Sequence, residues 1–187
     1  MDILLLGPPG AGKGTQGALI ATRLGIPKFA TGDLLRDAVK RGTPMGLRVK
    51  ATMEAGELVS DDLIMGVVRD ELAKPTADNG VIFDGVVRTI PQASGVGQLL
   101  SERQRRMDYV LFFEIADQVI LDRLSRRREL EKRADDDPQA VAIRLRAYRE
   151  QTAPVLEWYR SQENVKMIDA VGSVDEIAGR VKQVLGK

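Results

Sequence analysis

Nine residues near the start of the chain, Gly7-Pro8-Pro9-Gly10-Ala11-Gly12-Lys13-Gly14-Thr15, place four glycines and a lysine directly after the apolar run Ile3–Leu6. Glycines let successive backbone N–H groups converge on one anion. A helix opening at the end of the loop adds partial positive charge there. Lys13 can reach the terminal phosphates of a nucleotide held in such a loop. The match to Gly-x-x-x-x-Gly-Lys-Ser/Thr is inexact, because Gly14 stands at the hydroxyl position and Thr15 follows it. A second candidate is Asp84, the carboxylate that ends the apolar run Val81-Ile82-Phe83. Alone, a strand-end Asp reads as a turn or cap residue. Beside a phosphate loop it reads as a holder of Mg²⁺, directly or through water.

Composition narrows the remaining chemistry. The 187 residues contain no cysteine, which excludes disulfides, thiolate zinc sites and thiol catalysis. They contain no histidine, which removes imidazole bases and His-ligated metals. Catalysis is left to Lys, Arg, Asp, Glu, hydroxyls, backbone amides or an oxygen-held metal ion. The 28 basic and 27 acidic residues cancel to +1, which argues against a nucleic-acid-coating surface. Arginines number 19 against 9 lysines. The rigid guanidinium fork matches phosphate oxygens, but GC-rich coding gives the same ratio, so positions must decide. No apolar stretch approaches the ~20 residues of a membrane helix, and a cytoplasmic protein is expected.

These groups need a scaffold. Strand candidates are residues 2–6, 28–30, 81–84, 109–114 and 165–169, rich in Ile, Leu, Val and Phe with little polar alternation. That pattern fits strands buried on both faces of a parallel sheet. Helix patterns cover residues 15–24, 34–41, 45–55, 63–72, 91–103, 118–128 and 138 to about 160. A last helix starts at the capping box Ser173-x-x-Glu176. Gly25, Gly42 and Gly56 read as helix C-termini, and Asp137-Pro138 as N-cap and first helical residue. Strand–helix alternation implies an α/β fold of three layers, a five-stranded parallel sheet with helices on both faces. Residues 31–60, helical without a strand, and the charged segment 127–136 interrupt the alternation and read as rim inserts. The core is then about 1–30, 61–126 and 137–187, within one domain.

With these segments in order, the chain resembles the adenylate kinases, among the nucleoside monophosphate kinases, over about its full length. The resemblance rests on Gly7–Gln16, Thr31-Gly32-Asp33-Leu34-Leu35-Arg36, Asp84-Gly85 with Arg88-Thr89 and Gln92, Arg123 with Arg127, Arg133 with Asp135-Asp136, Arg144, and Gly172-Ser173. It implies reversible, Mg²⁺-dependent transfer of the terminal phosphoryl group of ATP to AMP, giving two ADP. It implies a short lid at 127–136 without zinc, and an AMP-binding insert at 31–60. Gly10, Ala11, Gly12, Lys13, Gly14 and Thr15 would hold the ATP phosphates. Arg123 and Gly172 would border the ATP base, and Arg127 its phosphates. Thr31, Arg36, Glu57, Leu58, Val59, Gly85, Val86, Val87, Arg88 and Gln92 would form the AMP site, Gln92 bonding the base edge. Arg133 and Arg144 would sit at the transferring phosphoryl and the AMP phosphate. Lys13, Arg88, Arg123, Arg127, Arg133 and Arg144 would offset the repulsion of two polyanions. Arg126 and Arg128 match no family contact and read as a solvated helix face. Asp135 and Asp136 read either as partners of the arginines or as helix N-terminal charge. The partners implied are ATP, AMP and ADP, bound by a monomer.

Three residues, at two places, depart from the family pattern. Val86-Val87 replaces the usual Phe-Pro, so the peptide bond before Val87 should be trans, since a non-proline cis bond costs ~2.5–4 kcal/mol. Lys132 stands where a glycine commonly precedes the lid arginine. The alternatives are a UMP/CMP-type kinase and a weakly active nucleotide-binding module. Thr31 with Thr89 and Gln92 favours AMP over the first, and the valine pair motivates the second. No Asn-Lys-x-Asp follows the fourth strand, which argues against a GTPase.

Overall fold

The computed structural model of the chain describes residues 1–162 and 164–186. Five strands form one parallel sheet: β1 (Ile3–Leu6), β2 (Lys28–Ala30), β3 (Ile82–Asp84), β4 (Tyr109–Glu114) and β5 (Val165–Asp169). Their order is β2-β3-β1-β4-β5. β1 is central because all four of its side chains are apolar and can be buried on either face. Ile3 and Leu5 face one layer, and Leu4 and Leu6 the other. Each such burial stabilises by ~1.5–3 kcal/mol.

On the first face, α1 (Lys13–Leu24) and α9 (Val174–Leu185) cover the sheet. Ile20, Ile177, Val181 and Leu185 pack there with Leu111, Phe113 and Ile168. On the second lie α2 (Thr31–Lys40), α3 (Pro44–Glu54), α4 (Asp61–Leu72), α5 (Ile90–Ser101) and α8 (Ala153–Arg160). Leu35, Val68, Val96, Leu100 and Val155 pack there with Phe83 and Val110. Two more helices, α6 (Asp117–Glu131) and α7 (Pro138–Ala147), share a small core of Ile120, Leu124 and Val141. The three-layer α/β fold is as expected. Because every strand is parallel, the loops after β1, β2, β3 and β5 open at one edge, where α/β folds bind ligands.

The caps follow the sequence. Asp137 Oδ1 accepts the Gln139 N–H at 3.1 Å, and Ser173 and Glu176 complete a reciprocal capping box. Four details differ. β5 is an edge strand in which only Ile168 is buried; Lys166 and Met167 are exposed, because β5 has a neighbour on one side only. α1 starts two residues early, at Lys13, because Gly12 takes the left-handed N-cap conformation at φ +89°. α6 runs to Glu131, so residues 127–131 are helical, and a 3₁₀ turn, Ala134–Asp136, precedes α7. The long helix expected over 138–160 is broken by a π turn at Tyr148–Thr152. Pro154 explains the break: it has no N–H for the Glu150 carbonyl, and its ring would clash with it.

Candidate active site

The loop after β1 is shaped by backbone geometry. Gly7 has φ +139°, and a Cβ there would lie 2.7 Å from the Phe113 carbonyl oxygen, so only glycine lets the loop pass β4. Gly10, Gly12, Lys13, Gly14 and Thr15 line a cleft of about 680 Å³. Ala11 does not; its methyl is buried in the core, which leaves its main chain to serve the loop. Lys13 folds back over the loop, donating from Nζ to the carbonyls of Gly7 (2.7 Å) and Pro8 (2.8 Å). Burial holds the Lys13 ammonium down at about 8; Asp84 opposes this, while the positive charges of Arg88, Arg144 and Arg127 add to it.

Asp84 closes β3 and faces the same space. Its Oδ2 would lie 3.4 Å from a Cβ on Gly14. Lys28, on β2, approaches Asp84 at 3.9 Å and Asp33 at 3.8 Å, and donates to the Gly14 carbonyl at 3.3 Å. Lys28 was not legible as a cleft residue, since a lysine at a strand start reads as solvated. Among the described residues no group of three or more carboxylates forms a ready-made metal cage. A single hard oxygen ligand beside a phosphate cradle suits Mg²⁺, which keeps most of its shell as water and phosphate oxygens.

Across the cleft, the loop after β3 carries Gly85, Val86 and Arg88 into the lining. The valines end in the core instead of on the surface, with Val86 fully buried and Val87 nearly so. Val87 lines a small adjoining cavity, not the main cleft. Every peptide bond among the described residues is trans, including the one before Val87. Arg88 Nε donates to the Gly85 carbonyl at 3.0 Å. Burial, then the neighbouring charge of Arg144, lowers Arg88 to about 10, with Asp84 opposing. Thr31 Oγ1 donates to the Gly85 carbonyl at 2.7 Å, joining the start of α2 to this loop.

Gln92 is almost fully buried and both ends of its amide are engaged. Its Oε1 accepts the Arg88 N–H at 2.7 Å, and its Nε2 donates to Asp61 at 2.8 Å. Asp61 also accepts from Thr89 Oγ1 at 3.0 Å. The residue expected at a base edge thus also fastens the arginine loop. Asp61, a plain helix-start acid by sequence, is its anchor. Glu57, Leu58 and Val59 line the same cleft as Arg36.

The remaining arginines divide by partner. Arg123 Nη2 donates to the Ala170 carbonyl at 2.9 Å and lies near the Gly172 carbonyl at 3.4 Å, which brings α6 against the loop after β5. Arg127 grips Asp136 with two hydrogen bonds of 2.6 and 2.5 Å. Arg144 bonds the same carboxylate at 2.9 Å and approaches Asp135 at 3.2 Å. Arg36 bonds Asp33 at 2.6 Å and reaches Asp135 at 3.5 Å. Arg133 pairs with Glu131 at 2.5 Å. Asp135 and Asp136 are therefore partners of the arginines. The Asp136 side chain is fully enclosed; burial works against its charge, but Arg127 and Arg144 hold it below the usual carboxylate range. Arg126 and Arg128 are exposed and outside the lining, as expected for a solvated face.

Known proteins give this cleft a family. The Adenylate kinase family model matches residues 5–164. An adenylate kinase of Gemmatimonas aurantiaca is 46% identical over an alignment of 211 positions, covering 99% of each chain. One of Thermus thermophilus is 46% identical over 184 residues, covering 98% of this chain and 96% of the relative. One of Mycobacterium tuberculosis is 44% identical over 187 residues, covering both chains completely. Similarity of this extent reaches past the phosphate loop to both rims of the cleft, and by it the chain belongs to the adenylate kinase family.

Proposed function

We propose that the chain transfers the terminal phosphoryl group of ATP to AMP, reversibly, giving two ADP. One observation carries the reading. Lys13 and Arg88 face one cleft, and their cationic groups are held by carbonyl oxygens, with no carboxylate within ion-pair distance among the described residues. A carbonyl fixes the position of a cation without neutralising it. Their charges press on each other and on Arg144. A triphosphate and a monophosphate brought together there relieve that repulsion.

The roles divide along the cleft. The loop amides and Lys13 hold the triphosphate, and Arg123 with Gly172 borders its base. Thr31, Arg36, residues 57–59, Gly85, Val86, Arg88 and Gln92 receive AMP, while Val87 lines the adjoining cavity. Asp84 would hold Mg²⁺ through water, and the ion supplies charge neutralisation on the triphosphate when bound. The nucleophile is an AMP phosphate oxygen, ionised at neutral pH, so no protein base is needed. Its bond to the terminal phosphorus forms as the bond to the ADP leaving oxygen breaks. The spreading equatorial charge is met by Lys13, Arg88, Arg127, Arg133 and Arg144. Residues 31–60 and 127–136 close over the two nucleotides and keep water, the competing acceptor, away. The acids on Arg36, Arg127 and Arg144 keep these charged side chains in place at the rim.

The test is ADP formation by purified protein from ATP, AMP and Mg²⁺, with UMP and CMP in parallel. Turnover with AMP well above the pyrimidine nucleotides is expected. Faster turnover with UMP or CMP, or ATP binding without turnover, would replace this reading with one of its alternatives. Neither alternative is favoured by relatives that all bear the name adenylate kinase.

A further inference from the structure

The π turn at Tyr148–Thr152 has a consequence beyond accommodating Pro154. Arg144 and Thr152 are eight residues apart. In an unbroken α-helix, eight residues leave Thr152 about 80° away from the face of Arg144. A π turn absorbs one extra residue, so Thr152 takes the place of an i+7 residue, about 20° from that face. The i+5 bond that marks the turn, from the Ala153 N–H to the Tyr148 carbonyl, is present. Arg144, Tyr148 and Thr152 accordingly line one cavity of about 80 Å³ together with Lys13, Arg88 and Val87.

Thr152 is nearly buried, and its Oγ1 donates to the Arg88 carbonyl at 2.9 Å. Gln92 accepts the Arg88 N–H at 2.7 Å. The backbone of Arg88 is thus clamped at both polar groups by side chains of two different helical segments. The guanidinium can be aimed only as well as the backbone that carries it, and about 1 Å of misplacement can cost ~100-fold in rate. We infer that Thr152 is a positioning residue for Arg88, and that the π turn sets its register. The inference rests on the proposed reaction, in which Arg88 contacts the transferring or accepting phosphate.

Thr152→Val keeps the shape and removes the donor, whereas Thr152→Ser keeps the hydroxyl. The valine variant should lose about tenfold in kcat, the size of one lost hydrogen bond, with KM for AMP raised and KM for ATP unchanged. The serine variant should restore all three. In an Arg88→Ala background, Thr152→Val should change nothing further, because there is no guanidinium left to aim. A lower melting temperature is expected on either reading, because the Arg88 carbonyl loses its donor; a packing role alone predicts KM for AMP unmoved and the same loss with or without Arg88. Should the valine variant fail to fold, alanine against serine makes the same comparison. An active wild type with an indifferent Thr152→Val sinks this inference alone. A wild type that makes no ADP from ATP and AMP sinks the proposed reaction, and this inference with it.

Discussion

The two halves of the cleft are built by different means. The half proposed for the triphosphate is built around a local loop. Nine consecutive residues bend around their own amides, and the cation inside, Lys13, bonds carbonyls five and six residues back. The half proposed for AMP is assembled from α2, the segment at 57–59, the loop after β3 and the segment from α7 through the π turn. Its arginines draw on partners far along the chain as well as near ones: Arg36 bonds Asp33 and reaches Asp135, and the backbone of Arg88 is held by Thr152. A main-chain cradle survives most side-chain changes outside its glycines. A side-chain site fails whenever one distant partner is lost.

The sharpest test of that contrast is Arg88→Ala. Turnover should fall about 10³-fold, the size of one lost transition-state contact, while ATP affinity by titration stays close to that of the parent. An equal loss of ATP affinity would show that the halves are not separable. Next in size is Asp136→Asn. It leaves Arg127 and Arg144 without their shared counter-charge and should cost about 3 kcal/mol in thermal unfolding. Because Asp136 is held below the usual carboxylate range, its contribution is present above the unfolded value near 3.9. It is lost as pH falls through the lower folded value, so the parent should shed this stability only under strong acid and the variant should show no such step.

A smaller effect is expected from Val86→Phe with Val87→Pro. Both valines are buried in the core, so the larger ring must displace neighbours, at about 1–3 kcal/mol of stability, with turnover retained. A large loss of turnover at unchanged stability would mean that the loop has been rebuilt around the valines. On the triphosphate side the expected signal is a proton. Lys13 sits at about 8, and a bound triphosphate raises it, so ATP binding near pH 9 should take up a proton. Affinity should weaken by up to about tenfold per pH unit above 8. Calorimetry in buffers of different ionisation enthalpy reads this directly, and no proton uptake would contradict the Lys13 assignment. Least of all, Lys132→Gly relieves a non-glycine residue at φ +51° on the C-cap of α6, and should raise stability by about 1 kcal/mol.

The parallel sheet, its five strands and the caps at Asp137 and Ser173 were legible because each depends on neighbours in sequence. The failures were also physical. β5 looked like an interior strand because edge position depends on which strand lies beside it, not on its own apolar residues. The helix from 138 looked continuous because Pro154 two residues into α8 could equally begin a new helix as force a wider turn. Gln92 was legible as a cleft residue but not as the clamp on Arg88. Asp61 and Thr152 gave no signal, since a helix-start acid and a lone threonine carry no motif.

The sequence alone determined the phosphate loop, since glycine φ freedom and a following helix are properties of a few adjacent residues. It also determined that no imidazole or thiol takes part. Only the tertiary structure decided which cations remain without a carboxylate and which are paired. That depends on where Asp33, Asp135 and Asp136 come to rest, and charges attract through space without regard to their separation along the chain.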